Sequence, residues 1–154
     1  YGLTMIRAHA NFNYIFFWIA GFGFFAFVIT LLREIIKDLE DFEGDSAYGM
    51  NTLPIVLGTR ATKLILISLI CICIGSLLWI LLKFILFNQD FVDYISGGYY
   101  FIFLFLPLII LMVKLIISTS KRDYYVASQL TKIIMLAGIL YAFVVRYIVL
   151  FKLN

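Results

Sequence analysis

Acidic residues are concentrated in one short segment of this chain. Six of its nine aspartates and glutamates fall between positions 33 and 45, in the run Arg-Glu-Ile-Ile-Lys-Asp-Leu-Glu-Asp-Phe-Glu-Gly-Asp. On a helix, at about 100° per residue, four of the six share an arc of roughly 60°. The four are Glu34, Asp38, Asp41 and Asp45; Glu40 and Glu43 point elsewhere. Mutual repulsion within such a group is relieved when a divalent cation such as Mg²⁺ binds to it.

Two alternatives to a cation site stay open at this point. The acidic run is equally consistent with a solvated loop that follows an apolar helix. Gly44 could also end the helix, which would move Asp45 off the shared face.

The rest of the chain is too apolar for a water-soluble domain. Of its 154 residues, 64% are hydrophobic and 14% charged, and the mean hydropathy is +1.07, whereas soluble proteins are roughly half apolar and a quarter charged. Four stretches hold one charge between them, Arg146, and each is long enough for a helix to cross about 30 Å of hydrocarbon. They are 12–32, 64–82, 94–113 and 133–151. We therefore predict an all-α integral membrane helical bundle with about four transmembrane helices.

Proline, glycine and cysteine positions are interpreted within this bundle. Pro107 is predicted to kink the third span. Small residues allow close packing of membrane helices, and this role is expected for Gly21, Gly23, Gly75 and Gly138. Cys71 and Cys73 lie in an apolar run without a second pair of cysteines and are interpreted as lipid- or core-facing.

Basic residues predict the orientation of the bundle. With four crossings, the segments 33–63 and 114–132 share one side and hold eight of the twelve lysines and arginines. Cytoplasmic segments are enriched in these residues, so the acidic run is predicted to face the cytoplasm across an inner or plasma membrane. The net charge of +3 is modest and scattered, which indicates contact with the lipid bilayer and no nucleic-acid partner.

The segment 33–61 contains further distinctive positions around its carboxylates. A Glu-Gly-Asp element is followed by a Gly, a Thr-Leu-Pro and a Leu-Gly, at 43–45, 49, 52–54 and 57–58. With these, the segment resembles the second aspartate-rich motif of the UbiA family of intramembrane prenyltransferases, especially the branch of geranylgeranylglycerol-phosphate geranylgeranyltransferases and chlorophyll synthases. The resemblance implies a fold of about nine helices. The family's earlier N-D-x-x-D-x-x-x-D motif is not found in residues 1–37, so residues 1–154 are expected to be the C-terminal half of such a domain.

The resemblance also implies an activity and a set of site residues. The activity is Mg²⁺-dependent transfer of a polyprenyl group from an allylic prenyl diphosphate to a lipophilic or glycerol-phosphate-type acceptor in the membrane. Asp41 and Asp45 match the family's D-x-x-x-D pair and are expected to be catalytic metal ligands, and Asp38, one turn earlier, is added as a third ligand. Basic residues on the same side could bind phosphate oxygens: Arg33, Lys37, Arg60, Lys121 and Arg122.

Other interpretations of the same residues remain. The basic residues could instead anchor the chain to lipid headgroups. Tyr48, Tyr124 and Tyr125 could shield a carbocation with their ring faces or form an interfacial aromatic belt. The CDP-alcohol phosphotransferases also use D-x-x-x-D, but their upstream D-G-x-x-A-R is missing here. A non-enzymatic transporter or scaffold subunit with a cation-binding acidic patch is the alternative from another class, although a transporter would be expected to have ionisable residues within its spans.

Overall fold

Long apolar stretches form long helices here, because a backbone in lipid must satisfy its polar groups within its own segment. The computed structural model describes residues 2–87 and 98–152. In chain order it has α1 (Gly2–Glu40), α2 (Phe42–Ala47), α3 (Leu53–Leu57), α4 (Thr59–Phe87), a π-helical turn (Tyr100–Phe105), α5 (Leu106–Ile117) and α6 (Lys121–Lys152).

Four of these segments are long and apolar enough to cross a membrane, which confirms the predicted helical membrane bundle. They are Ile19–Glu40, Thr59–Ile80, Tyr100–Ile117 and Lys121–Phe143. The predicted spans overlap all four but have different ends. The helices α1, α4 and α6 extend beyond both predicted ends of their spans, because they continue past the charged residues near which the spans were predicted to end. The predicted start of the third span, 94–97, lies outside the described residues.

The four spanning segments pack as a closed ring. α1 contacts α4 and α6, and α5 contacts the same two helices from the other side. The buried side chains recur every three or four residues, as in Ile29, Leu32 and Ile36 on α1 or Leu66 and Ile70 on α4, which is the spacing of one helix face. Large apolar side chains on the opposite faces are exposed, as expected of helices that face lipid.

Small residues and the proline have distinct roles in this packing. A side chain at Gly138 would place its Cβ 3.1 Å from Cε1 of Phe25, so close packing is confirmed there. A Cβ at Gly21, Gly23 or Gly75 would meet nothing within 4 Å among the described residues, so their packing role stays a prediction. Pro107 lies in the first turn of α5, directly after the π-helical turn, where its missing N–H is tolerated; the predicted kink stays a prediction.

Polar side chains within the bundle bond to backbone carbonyls of neighbouring helices. The hydroxyl of Tyr100 donates to the carbonyl of Leu77 at 2.8 Å, and that of Tyr99 donates to the carbonyl of Ala137 at 3.0 Å. These bonds join the π-helical turn to α4 and α6. Cys71 is exposed and Cys73 buried, both as free thiols, which agrees with their interpretation as lipid- and core-facing.

Candidate functional site

The acidic segment begins where the buried face of α1 ends. Ile36 and Leu39 are buried, and Asp38 between them is half-buried. The apolar neighbours fix the last turn of α1 against the bundle. The Asp38 carboxyl is therefore held at the rim of the bundle by packing on either side of it.

Asp41 separates α1 from α2, but backbone hydrogen bonds continue across it. Its backbone dihedral angles are φ −93° and ψ 5°, outside the helical well. Its N–H donates to the carbonyl of Lys37 at 2.9 Å, and its own carbonyl accepts the N–H of Asp45 at 2.9 Å. α2 therefore follows α1 almost directly. Gly44 lies inside α2, so the alternative that it ends the helix before Asp45 is wrong.

The glycines and proline of the motif turn the chain back towards α1. Gly49 has a positive φ of 69° and Gly58 one of 84°, values that L side chains rarely adopt. Pro54 lies at the start of α3, is buried, and its carbonyl accepts the N–H of Gly58 at 3.0 Å. Between these two turns α3 packs on both α1 and α4.

This fold-back brings a backbone donor to the acidic group. The carboxyl of Asp38 is partly desolvated and is repelled by Asp45, Glu34 and Asp41, and the backbone N–H of Leu53 is a further group that acts on it. Its acidic neighbours are the three that the helical spacing places on its face. Asp41 and Asp45 thus lie near enough to act on the charge of Asp38, as does Glu34, which was not among the predicted metal ligands. Metal binding by the three aspartates stays a prediction.

Sequence reasoning missed Thr52. It caps α3 without a side-chain hydrogen bond, and its Oγ1 is buried with no hydrogen-bond partner among the described residues. A buried hydroxyl without a partner is costly, by about 1–3 kcal/mol. Thr52 directly precedes Leu53, whose N–H acts on Asp38. Its place in the Thr-Leu-Pro element was the only available signal.

One of the predicted phosphate-binding residues reaches the carboxylates. Lys121 Nζ lies 4.0 Å from Oδ1 of Asp41, with both side chains well exposed. Arg33 pairs with its neighbour Glu34 at 3.2 Å. The remaining three, Lys37, Arg60 and Arg122, are exposed and make no ion pair within the described ranges.

The three candidate tyrosines differ in environment. Tyr48 and Tyr125 are exposed, whereas Tyr124 is buried. The Nζ of Lys63 lies 5.6 Å from the ring centre of Tyr124, within the range of a cation–π contact. The face of Tyr124 is thus already occupied by a cation, which argues against a role for that residue in shielding a carbocation.

An apolar cavity of about 430 Å³ lies between α1 and α6. Phe22, Phe25 and Ile29 line it from α1, and Met135 and Gly138 line it from α6. Ile29 precedes Asp38 by nine residues, or about 13 Å of helix at 1.5 Å per residue. The same helix therefore carries an apolar cavity within the membrane and a carboxylate group at its end.

The donor set fits Mg²⁺ only as part of a larger site. No group of three or more acidic, histidine or cysteine side chains is arranged to hold a metal by itself within 2–87 and 98–152. The carboxylates around Asp38 repel one another. In the part of the chain that the structure describes, one cation from another helix lies near them, the exposed Lys121. Mg²⁺ is usually bound by one or two carboxylates together with substrate phosphates, which this arrangement can accommodate.

Three archaeal relatives of this chain share one name. A digeranylgeranylglyceryl phosphate synthase of Methanosphaera stadtmanae is 56% identical over 55 residues, covering 35% of this chain and 20% of that protein. The protein of the same name in Methanothermobacter thermautotrophicus is 50% identical over 50 residues, covering 32% of this chain and 18% of that protein. The one in Methanopyrus kandleri is 33% identical over 117 residues, covering 75% of this chain and 39% of its own length.

These relatives confirm the resemblance to UbiA-family prenyltransferases. The matched part of the chain spans no more than about two fifths of the length of these three relatives. No family model matches the chain, and no solved structure matches it.

Proposed function

With its similarity to digeranylgeranylglyceryl phosphate synthases as the premise, we propose that this chain forms the C-terminal, acidic part of a membrane prenyltransferase. The reaction is transfer of a polyprenyl group from an allylic prenyl diphosphate to a glycerol-phosphate-type acceptor or another lipophilic acceptor. The observation that carries the proposal is the carboxylate group around Asp38, which lies at the end of a membrane helix on which α3 packs. A transporter would be expected to have such a group within the spans, and here it lies at the end of one.

The layout of α1 suits a substrate with a charged head and an apolar tail. The head would lie beside Asp38, Asp41 and Asp45, and the tail would run along α1 towards the cavity between Ile29 and Gly138. Keeping the tail among apolar side chains also keeps water away from the allylic carbon.

Each charged group has a defined task in this proposal. Asp38, Asp41 and Asp45 are the residues that would hold Mg²⁺, which when bound neutralises charge on the leaving diphosphate. Lys121, with Arg33 beside the same group, would bind phosphate oxygens through charge-assisted hydrogen bonds. The Leu53 N–H would assist the Asp38 carboxylate, and the buried hydroxyl of Thr52 is available to a bound ligand.

The test is prenyl transfer by the full-length protein that contains this chain, assayed in membranes with a labelled prenyl diphosphate and a titration of Mg²⁺. Asp41→Asn and Asp45→Asn should abolish Mg²⁺-dependent transfer while the protein still inserts. Glu40→Gln and Glu43→Gln are the matched controls, because neither acts on Asp38, and they should retain most activity. Equal loss of transfer activity in all four variants would overturn the assignment of Asp41 and Asp45 to the metal-binding face.

This chain expressed alone should insert and remain helical but show no transfer. It presents one acidic group, whereas the resemblance implies that two aspartate-rich motifs share Mg²⁺ and diphosphate. A single group near water should hold Mg²⁺ weakly, since this ion gives up its waters reluctantly. Turnover by the 154-residue chain comparable to that of the full-length protein would contradict the divided site.

A further inference from the structure

The turn between α5 and α6 is organised by one carboxylate that has no assigned role. Oδ2 of Asp123 accepts hydrogen bonds from the backbone N–H of Thr119 at 3.3 Å and of Ser120 at 3.2 Å, and from the Ser120 hydroxyl at 2.8 Å. In return, the N–H of Asp123 donates to Oγ of Ser120 at 3.4 Å. This reciprocal pattern is a capping box, which fixes where a helix begins.

The second oxygen of Asp123 ties the start of α6 to the end of α5. Lys114, in the last turn of α5, donates from Nζ to Oδ1 at 3.1 Å. Lys63 on α4 donates to the carbonyl of Ser118 and lies against the Tyr124 ring. The ammonium groups of both lysines therefore already bond to groups of this turn. Both oxygens of Asp123 are also occupied, which leaves little capacity for a metal ion.

Lys121 follows this turn directly. Within the described ranges, it is the one predicted phosphate-binding residue that reaches the acidic group from another helix. Lys121 is the first residue of α6, and its Nζ lies 4.0 Å from Oδ1 of Asp41. The two side chains are 63% and 45% exposed, and an exposed pair at this distance contributes little on its own. The position of Lys121 is therefore set by the backbone of the turn.

We propose that Asp123 is a positioning residue for prenyl transfer, which fixes the first turn of α6 so that Lys121 stands beside the carboxylates and meets the diphosphate. This inference rests on the proposed function. Asp123 acts through Lys121 and touches neither metal nor substrate. Its loss should therefore weaken binding of the diphosphate and change the chemical step little.

A double-mutant cycle in the full-length protein separates this role from a general structural one. With a prenyl diphosphate as the varied substrate, Lys121→Ala should raise KM about tenfold and change kcat by less than about twofold, as expected for one lost charge-assisted hydrogen bond. Asp123→Asn should raise KM by about three- to fivefold. When Asp123→Asn is combined with Lys121→Ala, KM should rise by less than about a further twofold, because the effects of residues that act as one unit do not add.

Two further variants control for the capping box and for poor accumulation of Asp123→Asn. Asp123→Glu should retain a KM within about twofold of the original, because glutamate also forms the capping box. If Asp123→Asn fails to accumulate, Ser120→Ala replaces it in the cycle, since it removes the hydroxyl from the same box. Independent, multiplying effects of Asp123 and Lys121, or a fall in kcat alone, would overturn the inference. An original protein without any prenyl transfer would instead overturn the proposed function.

Discussion

Gly58 offers the sharpest single test of how the motif builds the site. It joins α3 to α4 with φ 84° and ψ 155°, a region of backbone conformation that is essentially restricted to glycine. An L side chain there costs on the order of 1–3 kcal/mol. Space is not the obstacle, since a Cβ at Gly58 would meet nothing within 4 Å among the described residues. The cost of Gly58→Ala is therefore conformational.

Relief of that strain should displace α3. The Gly58 carbonyl accepts both the N–H of Thr62 at 3.1 Å and its hydroxyl at 2.9 Å, which anchors the α4 side of the junction. The α3 side would move instead and draw the Leu53 N–H away from Asp38. Loss of a donor that acts on this carboxyl should cost about 1–1.5 kcal/mol, the net value of an ordinary hydrogen bond, so we expect transfer to fall by about five- to tenfold.

The measurement is transfer activity of the full-length protein in membranes, together with its rate of thermal inactivation. Gly75→Ala is the matched control, because Gly75 lies within α4, has no positive φ, and also has no described neighbour within 4 Å. It should be neutral or stabilising by up to about 1 kcal/mol. Equal activity and equal stability of the two variants would refute the argument that the Gly58 conformation sets the position of α3.

Three further predictions concern the hydroxyl, the cavity and the orientation. Thr52→Val should preserve or raise thermal stability, because it removes an unpaired buried oxygen, yet lower transfer activity; a loss of both would contradict a ligand-facing hydroxyl. Gly138→Leu should press on Phe25, whose ring lies 3.1 Å from where a Cβ would stand. It should raise KM for long prenyl diphosphates more than for short ones, and equal changes in KM would exclude the cavity as the tail site. Single cysteines at Tyr48 and Arg122, both exposed, should resist impermeant thiol reagents in intact cells, and labelling of either from outside would reverse the proposed orientation.

Helical periodicity was sufficient to predict the members of the acidic group. The spacing placed Glu34 and Asp41 on the face of Asp38, and these residues are among those that act on its carboxyl in the structure. The prediction holds despite the break at Asp41, because the bonds from Asp41 to Lys37 and from Asp45 to Asp41 keep the helical spacing through it. Apolar length predicted the four spans for a similar reason, since helix formation in lipid depends little on side-chain detail.

Contacts that join separate segments could not be predicted in this way. The sequence shows a Ser-x-x-Asp pattern at Ser120 that is typical of a capping box, but the pattern does not indicate that Lys114 and Lys63 converge on the same turn. That convergence depends on how α4 and α5 pack side by side. Likewise, the Thr-Leu-Pro element indicates a helix start, and only the positive φ values at Gly49 and Gly58 explain why that start faces Asp38. Under the proposed function, the motif residues without charge place α3 and its Leu53 N–H beside the acidic group, and substitutions among them should impair diphosphate binding even where every carboxylate is retained.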